Sequence, residues 1–249
     1  LALDGGRWRF DLDRLRAAVT PRSRLLLLCN PHNPVGRVFS RAELFEVAAF
    51  AERHDLVIGS DEIHCGLVLD AGKRHIPIAS LSPAIAARTI TLMAPSKTYN
   101  LPGLGCAFAV ISNEALRRRF TRAMAGIVPH VNVLGFTAAL AAYRDGGPWL
   151  AALLDYLRGN RELVLQAINA LPGLSAAPVE ATYLAWIDVR GSGLPHPGKF
   201  FEDAGVGLSE GRDFAGEGFL RLNFGCPRSL LRTALERMDN ALRSARGNL

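Results

Sequence analysis

The amine of Lys97 is the side chain in this sequence that is best suited to covalent chemistry. Lys97 is one of three lysines in a chain rich in arginine, and it follows an apolar segment at residues 89–93. An amine differs from a guanidinium because it can lose its proton and attack a carbonyl group. Taken alone, Lys97 is better explained as an ordinary loop lysine, so its neighbours decide between the two interpretations.

Two other polar residues follow apolar segments in the same way. Asp61 comes after the apolar residues 56–59, and Asn33 lies between two prolines after the apolar residues 25–29. Ligands of open α/β sheets bind beyond the carboxyl ends of the strands, so these residues and Lys97 can surround one ligand. Pyridoxal phosphate is a cofactor whose ring nitrogen needs a carboxylate and whose ring oxygen can accept a bond from an amide. Alone, Asp61 could equally be a helix cap and Asn33 a turn residue.

The elements that must position these residues alternate between strands and helices. Short apolar runs bounded by turn residues predict four buried strands, at residues 25–29, 56–59, 89–93 and 105–111. Ser40 and Glu43 form a capping-box pattern, which predicts a helix that runs to about His54. Strands separated by helical segments require crossover connections, so we predict an α/β fold with a mainly parallel sheet covered on both faces.

The second half of the chain has a different pattern. It predicts helices at residues 113–125, 132–143 and 148–171, strands at 182–189 and 219–224, and a closing helix at 229–243. The closing helix has Leu231, Leu235, Met238 and Leu242 on one face. We therefore predict a large domain at residues 1–158 and a small C-terminal α+β domain at residues 159–249.

Charge and composition exclude several classes of partner. The net charge of +6 comes from 29 basic and 23 acidic residues, and the single arginine cluster, at 117–119 and 122, falls on an amphipathic helix as a solvated face. We therefore predict no nucleic-acid partner. The longest apolar runs are far shorter than the ~20 residues of a membrane span, so no membrane segment is predicted. The four cysteines are widely spaced, as in reduced cytoplasmic proteins.

Four motifs together resemble one known family. They are NPHNPVGR at 30–37, SDEIH at 60–64, APSKTYNLPGL at 94–104 and FLRLNFG at 219–225. They occur in the order seen in the class I/II aminotransferases, which are fold type I pyridoxal phosphate enzymes. The residues of these motifs are most similar to those of the cystathionine β-lyase branch, the MalY/PatB type of carbon-sulfur lyase. The resemblance implies the aspartate aminotransferase-like fold, with a large cofactor-binding domain and a small C-terminal domain.

The resemblance also implies a role for each matching residue. Lys97 would be the catalytic residue that holds pyridoxal 5'-phosphate as a Schiff base, and Asp61 would pair with the ring nitrogen. Asn33 would bond the ring oxygen. Arg221 matches the family arginine that binds the substrate α-carboxylate, a task suited to a planar two-pronged donor.

Two positions depart from the common aminotransferase pattern. His64 stands where many aminotransferases have a tyrosine at the ring oxygen, and Gly105 stands where many have an arginine for the cofactor phosphate. Both departures favour the lyase branch, with His64 beside the cofactor and Ser96 as the local phosphate ligand. The chain starts at Leu1 and not at a methionine. We expect it to be a piece of a longer protein, whose N-terminal part supplies further phosphate, ring-stacking and interface residues.

The resemblance therefore implies a pyridoxal phosphate-dependent β-lyase that cleaves cystathionine or a related cysteine thioether to pyruvate, ammonia and a thiol. The alternative is an aminotransferase acting on an amino acid, which would use the same Lys97, Asp61 and Arg221. Either enzyme would take a small amino-acid substrate and, by resemblance, form a homodimer.

Two further hypotheses place the protein in other functional classes. One is a metal-dependent hydrolase built on His32, Asp61, Glu62 and His64, but their spacing is not that of a known zinc helix, and we predict no metal. The other is a non-catalytic binding module that uses the arginine cluster, which a salt-dependent DNA-binding assay would detect.

Overall fold

The computed structural model describes residues 1–247. It contains a four-stranded central sheet, a second, smaller sheet of four strands, and a two-stranded sheet near the start of the chain. The strands are β1 Ala2–Asp4, β2 Arg7–Arg9, β3 Leu25–Cys29, β4 Val57–Asp61, β5 Thr89–Met93, β6 Phe108–Val110, β7 Ser175–Ala176, β8 Leu184–Asp188, β9 Ser209–Glu210 and β10 Phe219–Asn223. The helices are α1 Leu12–Ala18, α2 Arg41–Arg53, α3 Pro83–Ala87, α4 Pro95–Thr98, α5 Glu114–Met124, α6 Val133–Asp145, α7 Gly147–Ala170, α8 Pro197–Asp203 and α9 Arg228–Gly247. Residues 248 and 249, where the predicted C-terminal domain ends, lie outside the described residues.

The central sheet has the strand order β3-β4-β5-β6, and its first three strands are parallel. This confirms the predicted α/β class with a mainly parallel sheet. Strand β6 runs antiparallel to β5 and is shorter than the predicted segment 105–111. Gly105 cannot belong to the strand because its φ of +58° is left-handed and ends the short helical turn Pro102–Leu104.

The two faces of the central sheet differ in their packing. Leu28 and Ile58 are buried on one face, where they form a core with Leu44 and other apolar residues of α2. On the other face, Leu25 is 52% exposed and Leu27 is 77% exposed. Within residues 1–247, the expectation that both faces are covered is therefore wrong for the face of β3 that carries Leu25 and Leu27.

The start of α2 follows the local sequence closely. The hydroxyl of Ser40 accepts a bond from the backbone N–H of Glu43, and the Glu43 carboxylate accepts one from the backbone N–H of Ser40. This capping box satisfies two donors that a helix end leaves unpaired. It confirms the predicted boundary, and it fixes the direction in which the chain leaves the loop after β3.

The smaller sheet is antiparallel, with the strand order β7-β8-β10-β9. Helices α7 and α9 pack on it, and the predicted apolar face of α9 is buried in that core. The predicted domain boundary between residues 158 and 159 falls inside the continuous helix α7. Leu67 and Leu69 join the same core from the N-terminal half. The division into two domains stays a prediction.

No helix of the described residues is long and apolar enough to cross a membrane.

Candidate active site

The carboxyl ends of β3, β4 and β5 lie at one edge of the central sheet because the three strands are parallel. In the register of the sheet, Cys29 is the partner of Asp61, and Asp61 is the partner of Leu92. The loop after β3 carries Asn33, and the short helix after β5 carries Lys97. The sheet topology therefore brings the three sequence-predicted strand ends to the same edge.

Asp61 is half-buried at the end of β4, and one of its carboxylate oxygens is available. Its Oδ1 accepts a bond of 3.1 Å from the backbone N–H of Ile63. Its Oδ2 accepts no hydrogen bond from the residues that the structure describes. Burial, together with the negative charge of Asp61, raises the pKa of the neighbouring Cys29 thiol to about 11, although a bond from the Asn33 backbone opposes this shift. Cys29 is therefore a protonated thiol at neutral pH.

The strand end that carries Asp61 is fixed by a buried acid on the other side of the backbone. Glu62 is fully buried and accepts bonds from the Ser60 hydroxyl at 2.9 Å and from the Ile78 backbone at 3.3 Å. His75 Nε2 lies 2.7 Å from its second carboxylate oxygen. Sequence reasoning considered Glu62 only as a metal ligand and missed this role, because His75 gives no local signal for it.

Lys97 lies on the short helix α4 and lines a cavity of about 620 Å³. The other two lysines, Lys73 and Lys199, form ion pairs with carboxylates. No carboxylate of residues 1–247 lies within ion-pair distance of the Lys97 amine. Gly66 helps to seat this helix, because a Cβ there would lie 2.5 Å from the side chain of Thr98. The structure thus leaves the amine of Lys97 unpaired at a cavity wall.

Ser96 precedes Lys97 on α4 and is half-buried. Its carbonyl accepts a bond of 3.1 Å from the backbone N–H of Leu101, whereas its hydroxyl has no partner among the described residues. The hydroxyl is therefore available to a ligand. The role predicted for Ser96 stays a prediction.

Arg221 on β10 is joined to the loop after β3. Its Nη1 donates to Asn33 Oδ1 at 2.9 Å and its Nη2 donates to Ser209 Oγ at 3.1 Å, while the guanidinium lies 4.5 Å above the ring of Phe214. No carboxylate of the described residues pairs with it, and burial lowers the pKa of Arg221. A half-buried guanidinium held by neutral partners keeps its charge available for an anion.

His64 connects the Arg221 side of the site with the Lys97 side. It is 4% exposed, its Nδ1 has no hydrogen-bond partner, and its ring meets the ring of Tyr183 edge-on at 6.2 Å. Burial and, to a smaller extent, the charges of Lys97 and Arg221 together lower the pKa of His64 to about 4. The imidazole is therefore neutral at pH 7. Its unpartnered nitrogen lies in a polar site and is available to a ligand.

A buried ionic cluster holds the loop after β3 against the segment before β8. Arg37 is 2% exposed and binds Glu43 and Glu180, while Glu180 also binds Lys73 and accepts a bond from the backbone N–H of Val38. Burial raises the pKa of Glu180, but the bonds from Lys73 and Val38 and the charge of Arg37 outweigh it, so the net shift is downward. Arg37 ends the motif at residues 30–37, but the sequence analysis assigned this task to neither Arg37 nor Glu180.

The walls of the cavity beside Lys97 contain three aromatic residues to which the sequence analysis gave no role, namely Trp149, Tyr156 and Tyr183. Trp149 and Tyr156 are seven residues apart on α7, which places them on one face of the helix. From the sequence, this spacing predicts that the two rings lie on the same side of the helix. Nothing in the sequence indicated that this face of α7 meets Tyr183 beside Lys97.

The metal-dependent alternative finds no support in the geometry. Across residues 1–247, no three His, Cys, Asp or Glu side chains are grouped closely enough to hold a metal ion. Of the residues considered for it, Glu62 is engaged with Ser60 and His75, and His32 is buried with its Nδ1 unpartnered.

Comparisons with known proteins agree on one family. The sequence model of aminotransferase class I and II matches residues 3–238. The chain is 35% identical to the cystathionine beta-lyase PatB of Bacillus subtilis, over 95% of this chain and 63% of PatB. It is 55% identical to the protein in the crystal structure of OvoB, with a TM-score of 0.94 over 97% of this chain and 64% of that one. For cystalysin of Treponema denticola, whose crystal structure contains pyridoxal 5'-phosphate, the identity is 33% and the TM-score 0.92, over 98% of this chain and 64% of that one.

The chain thus spans slightly less than two thirds of the length of these relatives. The likeness covers the strand ends that carry Asn33, Asp61 and Lys97, and it extends through the smaller sheet that carries Arg221. The chain belongs to the aminotransferase class I and II family.

Proposed function

We propose that the whole protein is a pyridoxal phosphate-dependent β-lyase that cleaves a cysteine thioether. The observation that carries this proposal is the unpaired amine of Lys97 at a cavity wall, with a neutral His64 and the available guanidinium of Arg221 nearby. The name of PatB, a cystathionine beta-lyase, supports the reaction, and the cofactor in cystalysin supports the chemistry.

The described residues fit this cofactor. Lys97 offers an amine without an ionic partner, and the free Oδ2 of Asp61 suits a protonated ring nitrogen. The amide nitrogen of Asn33 would face the ring oxygen, because its oxygen is already bonded to Arg221. The buried, unpartnered Nδ1 of His64 is a second group for the ring, and the Ser96 hydroxyl is available to the phosphate.

Each residue then has a chemical task. When bound, pyridoxal phosphate supplies a carbonyl group for the substrate amine and a ring that withdraws electrons from Cα. Arg221 binds the α-carboxylate and orients the Cα–H bond. Lys97 takes the proton from Cα, and Asp61 holds a proton on the ring nitrogen. His64 stays uncharged, so it adds no positive charge that would raise the cost of keeping Lys97 protonated.

The overall reaction consumes one water molecule. The Cβ–S bond of the thioether breaks, the sulfur leaves as a thiol with one proton, and the remaining three-carbon fragment is hydrolysed to pyruvate and ammonia. No oxidant or second substrate is needed. Transamination, the alternative, would move the amino group to a keto acid and would stop after one turnover without it.

The test uses the full-length protein with cystathionine or another cysteine thioether. We expect pyruvate, ammonia and a free thiol in equal amounts without an added keto acid. Borohydride reduction and peptide mapping should place the pyridoxyl label on Lys97. Turnover that appears only with a keto acid would favour the aminotransferase, and a label on Lys73 or Lys199 would refute the assignment of Lys97.

The full-length protein should also be a homodimer in the cytoplasm. The family resemblance supports the dimer, since sites of this family are shared across a two-fold axis. The four free thiols support a reducing compartment. Sedimentation of a fully active monomer would contradict the dimer.

A further inference from the structure

The guanidinium of Arg221 rests on an aromatic ring to which the proposed reaction gives no task. Its central carbon lies 4.5 Å from the centre of the Phe214 ring. Its bonds to Asn33 and Ser209 use two of the five N–H donors of a guanidinium. The π face of a ring attracts a cation without cancelling its charge as a carboxylate would. The remaining donors and the positive charge are therefore both available to an anion.

Phe214 lies at the end of a short helical turn that its own backbone closes. The turn, Gly211–Phe214, comes directly after β9, which carries Ser209. The backbone N–H of Gly216 donates to the carbonyl of Gly211 at 2.9 Å, and that of Phe219 donates to the carbonyl of Gly216 at 3.2 Å. A Cβ at Gly211 would lie 2.1 Å from the carbonyl oxygen of Gly216, so the turn requires glycine there. This closed turn presents both Ser209 and Phe214 to the same guanidinium.

The ring of Phe214 is also fixed by other aromatic rings. It meets the ring of Trp186 edge-on, with centroids 5.7 Å apart. The ring of Trp186 stacks on that of Phe219 at 5.3 Å, and Trp8 meets Phe219 edge-on at 5.5 Å. Trp186 is the partner of Arg221 in the register of β8 and β10, so both side chains lie on the same face of the smaller sheet. These contacts hold the Phe214 ring in one orientation before any ligand binds.

A second arginine on the same group of rings shows what is different about Arg221. The guanidinium of Arg190 lies 5.0 Å from the ring centre of Phe219, and it also binds the carboxylate of Asp188 at 2.9 Å. The charge of Arg190 is thus compensated by an acid. Arg221 has no acid as a partner within residues 1–247, and the ring of Phe214 stands where a counter-ion would otherwise be needed. Packing alone explains the ring of Phe219, but it does not explain this uncompensated cation on Phe214.

We propose that Phe214 is a positioning residue for the substrate α-carboxylate and that it acts through Arg221. The ring keeps the guanidinium in place and leaves its charge uncompensated, so the carboxylate meets donors that are already oriented. The proposal rests on the proposed function in the role that this gives to Arg221. No bond forms or breaks at Phe214, so the balance of the reaction is unchanged.

The first test measures pyruvate release from a cysteine thioether by the full-length holoenzyme. Phe214→Leu should raise KM about fivefold, because a guanidinium without its ring must be ordered when the carboxylate binds. The value of kcat should be unchanged, because the carboxylate is bound equally before and during the reaction. Phe214→Tyr keeps the ring and should keep the wild-type KM. Phe214→Met, which also lacks a ring, replaces the leucine variant if that variant does not fold.

Phe200→Leu is the matched control. Phe200 is half-buried beside the core of the smaller sheet, and its ring meets that of Phe201 edge-on, as the ring of Phe214 meets that of Trp186. It has no cation on its ring among the described residues. The KM of this variant should therefore equal that of the wild type. An equal rise of KM in Phe200→Leu and Phe214→Leu, or no rise in Phe214→Leu, would overturn the proposal.

The second test measures binding without turnover, by calorimetry on the same holoenzymes. (Ethylthio)acetate carries a thioether and a carboxylate but no amine, and (ethylthio)acetamide has a neutral amide in place of the carboxylate. Phe214→Leu should weaken binding of the acetate about fivefold and leave that of the acetamide unchanged. Equal weakening of both ligands would show a general loss of shape and would refute the role of Phe214.

The two tests separate a failure of this proposal from a failure of the proposed function. If the wild type releases no pyruvate from any thioether, the β-lyase function fails, and calorimetry still decides on Phe214. If pyruvate is released while Phe214→Leu changes neither KM nor binding of the acetate, the function stands and the role of Phe214 is refuted.

Discussion

The substitution Glu180→Gln tests how the loop after β3 is held against the smaller sheet. The carboxylate of Glu180 is almost fully buried and accepts bonds from the side chains of Arg37 and Lys73 and from the backbone of Val38. Glutamine has nearly the same shape, so the change removes the charge and leaves the volume intact. The amide oxygen can keep either the two bonds from Arg37 and the Val38 backbone or the two from Lys73 and Arg7, and the amide NH₂ group then faces the donors on the other side.

The expected loss of stability depends on the ion pair that Arg37 retains in the variant. Removing one partner of a buried ion pair costs about 3–5 kcal/mol, because the remaining charge stays buried without compensation. Arg37 retains its two bonds of 2.9 and 3.0 Å to Glu43, so we expect a value at the lower end, about 3 kcal/mol.

The effect should also depend on pH. The pKa of Glu180 is lowered in the folded chain from an ordinary value of 4.5, so its contribution is complete above that pH and is lost as the pH falls through the lower, folded value. The difference between wild type and Glu180→Gln should therefore be largest near pH 7 and should shrink below about pH 4.5.

The assay is urea unfolding of the wild type, Glu180→Gln and a matched control at pH 7 and pH 4. Asp203→Asn is the control, because it removes a carboxylate that pairs with Lys199 on the exposed surface. Such pairs contribute little, so this variant should unfold like the wild type. If Glu180→Gln is no less stable than Asp203→Asn at pH 7, the cluster does not hold the loop and the reasoning is wrong.

Three further predictions follow from single residues of the site. Asp61→Asn should lower kcat/KM for thioether cleavage by about 10²-fold or more without a change in melting temperature, and near-normal turnover would make Asp61 only a capping residue. Burial lowers the pKa of His64 to about 4 in the folded state, so as the pH falls the unfolded state binds a proton before the folded state does. The free energy of unfolding should therefore fall as the pH drops from 6.5 to 4. In urea unfolding, His64→Gln should show a smaller fall than the wild type. Gly105→Ala should destabilise the protein by about 1 kcal/mol in urea unfolding because its φ of +58° is left-handed, whereas Gly103→Ala, in open space without a positive φ, should not.

Features encoded by neighbouring residues could be predicted from the sequence. The strand Leu25–Cys29 and the capping box of α2 depend on residues at most a few positions apart, and both agree with the prediction. The order of the strand-end loops also follows from local patterns, since parallel strands place their carboxyl ends together. This is why the sequence alone groups Asn33, Asp61 and Lys97.

Features that depend on distant residues could not be predicted in this way. The partners Arg37 and Glu180 are 143 residues apart. Nothing near either residue indicates the other. The exposure of Leu27 on β3 also depends on distant residues. An apolar strand predicts burial on both faces, but whether a face is buried depends on which other elements pack against it. The aromatic cavity wall required the relative placement of α7 and β8, which periodicity does not contain.

The hydrogen bond between Asn33 and Arg221 joins two tasks that the sequence suggested separately. An amide has one acceptor oxygen and one donor nitrogen, and the oxygen of Asn33 is bonded to Arg221 at 2.9 Å. Its nitrogen must therefore point the other way, as a donor toward the edge where β3 and β4 end. A guanidinium has five N–H donors, so Arg221 can bind a substrate carboxylate while it keeps its bond to Asn33. The two residues are 188 positions apart, and this hydrogen bond joins the guanidinium on the smaller sheet directly to the amide beside the central sheet.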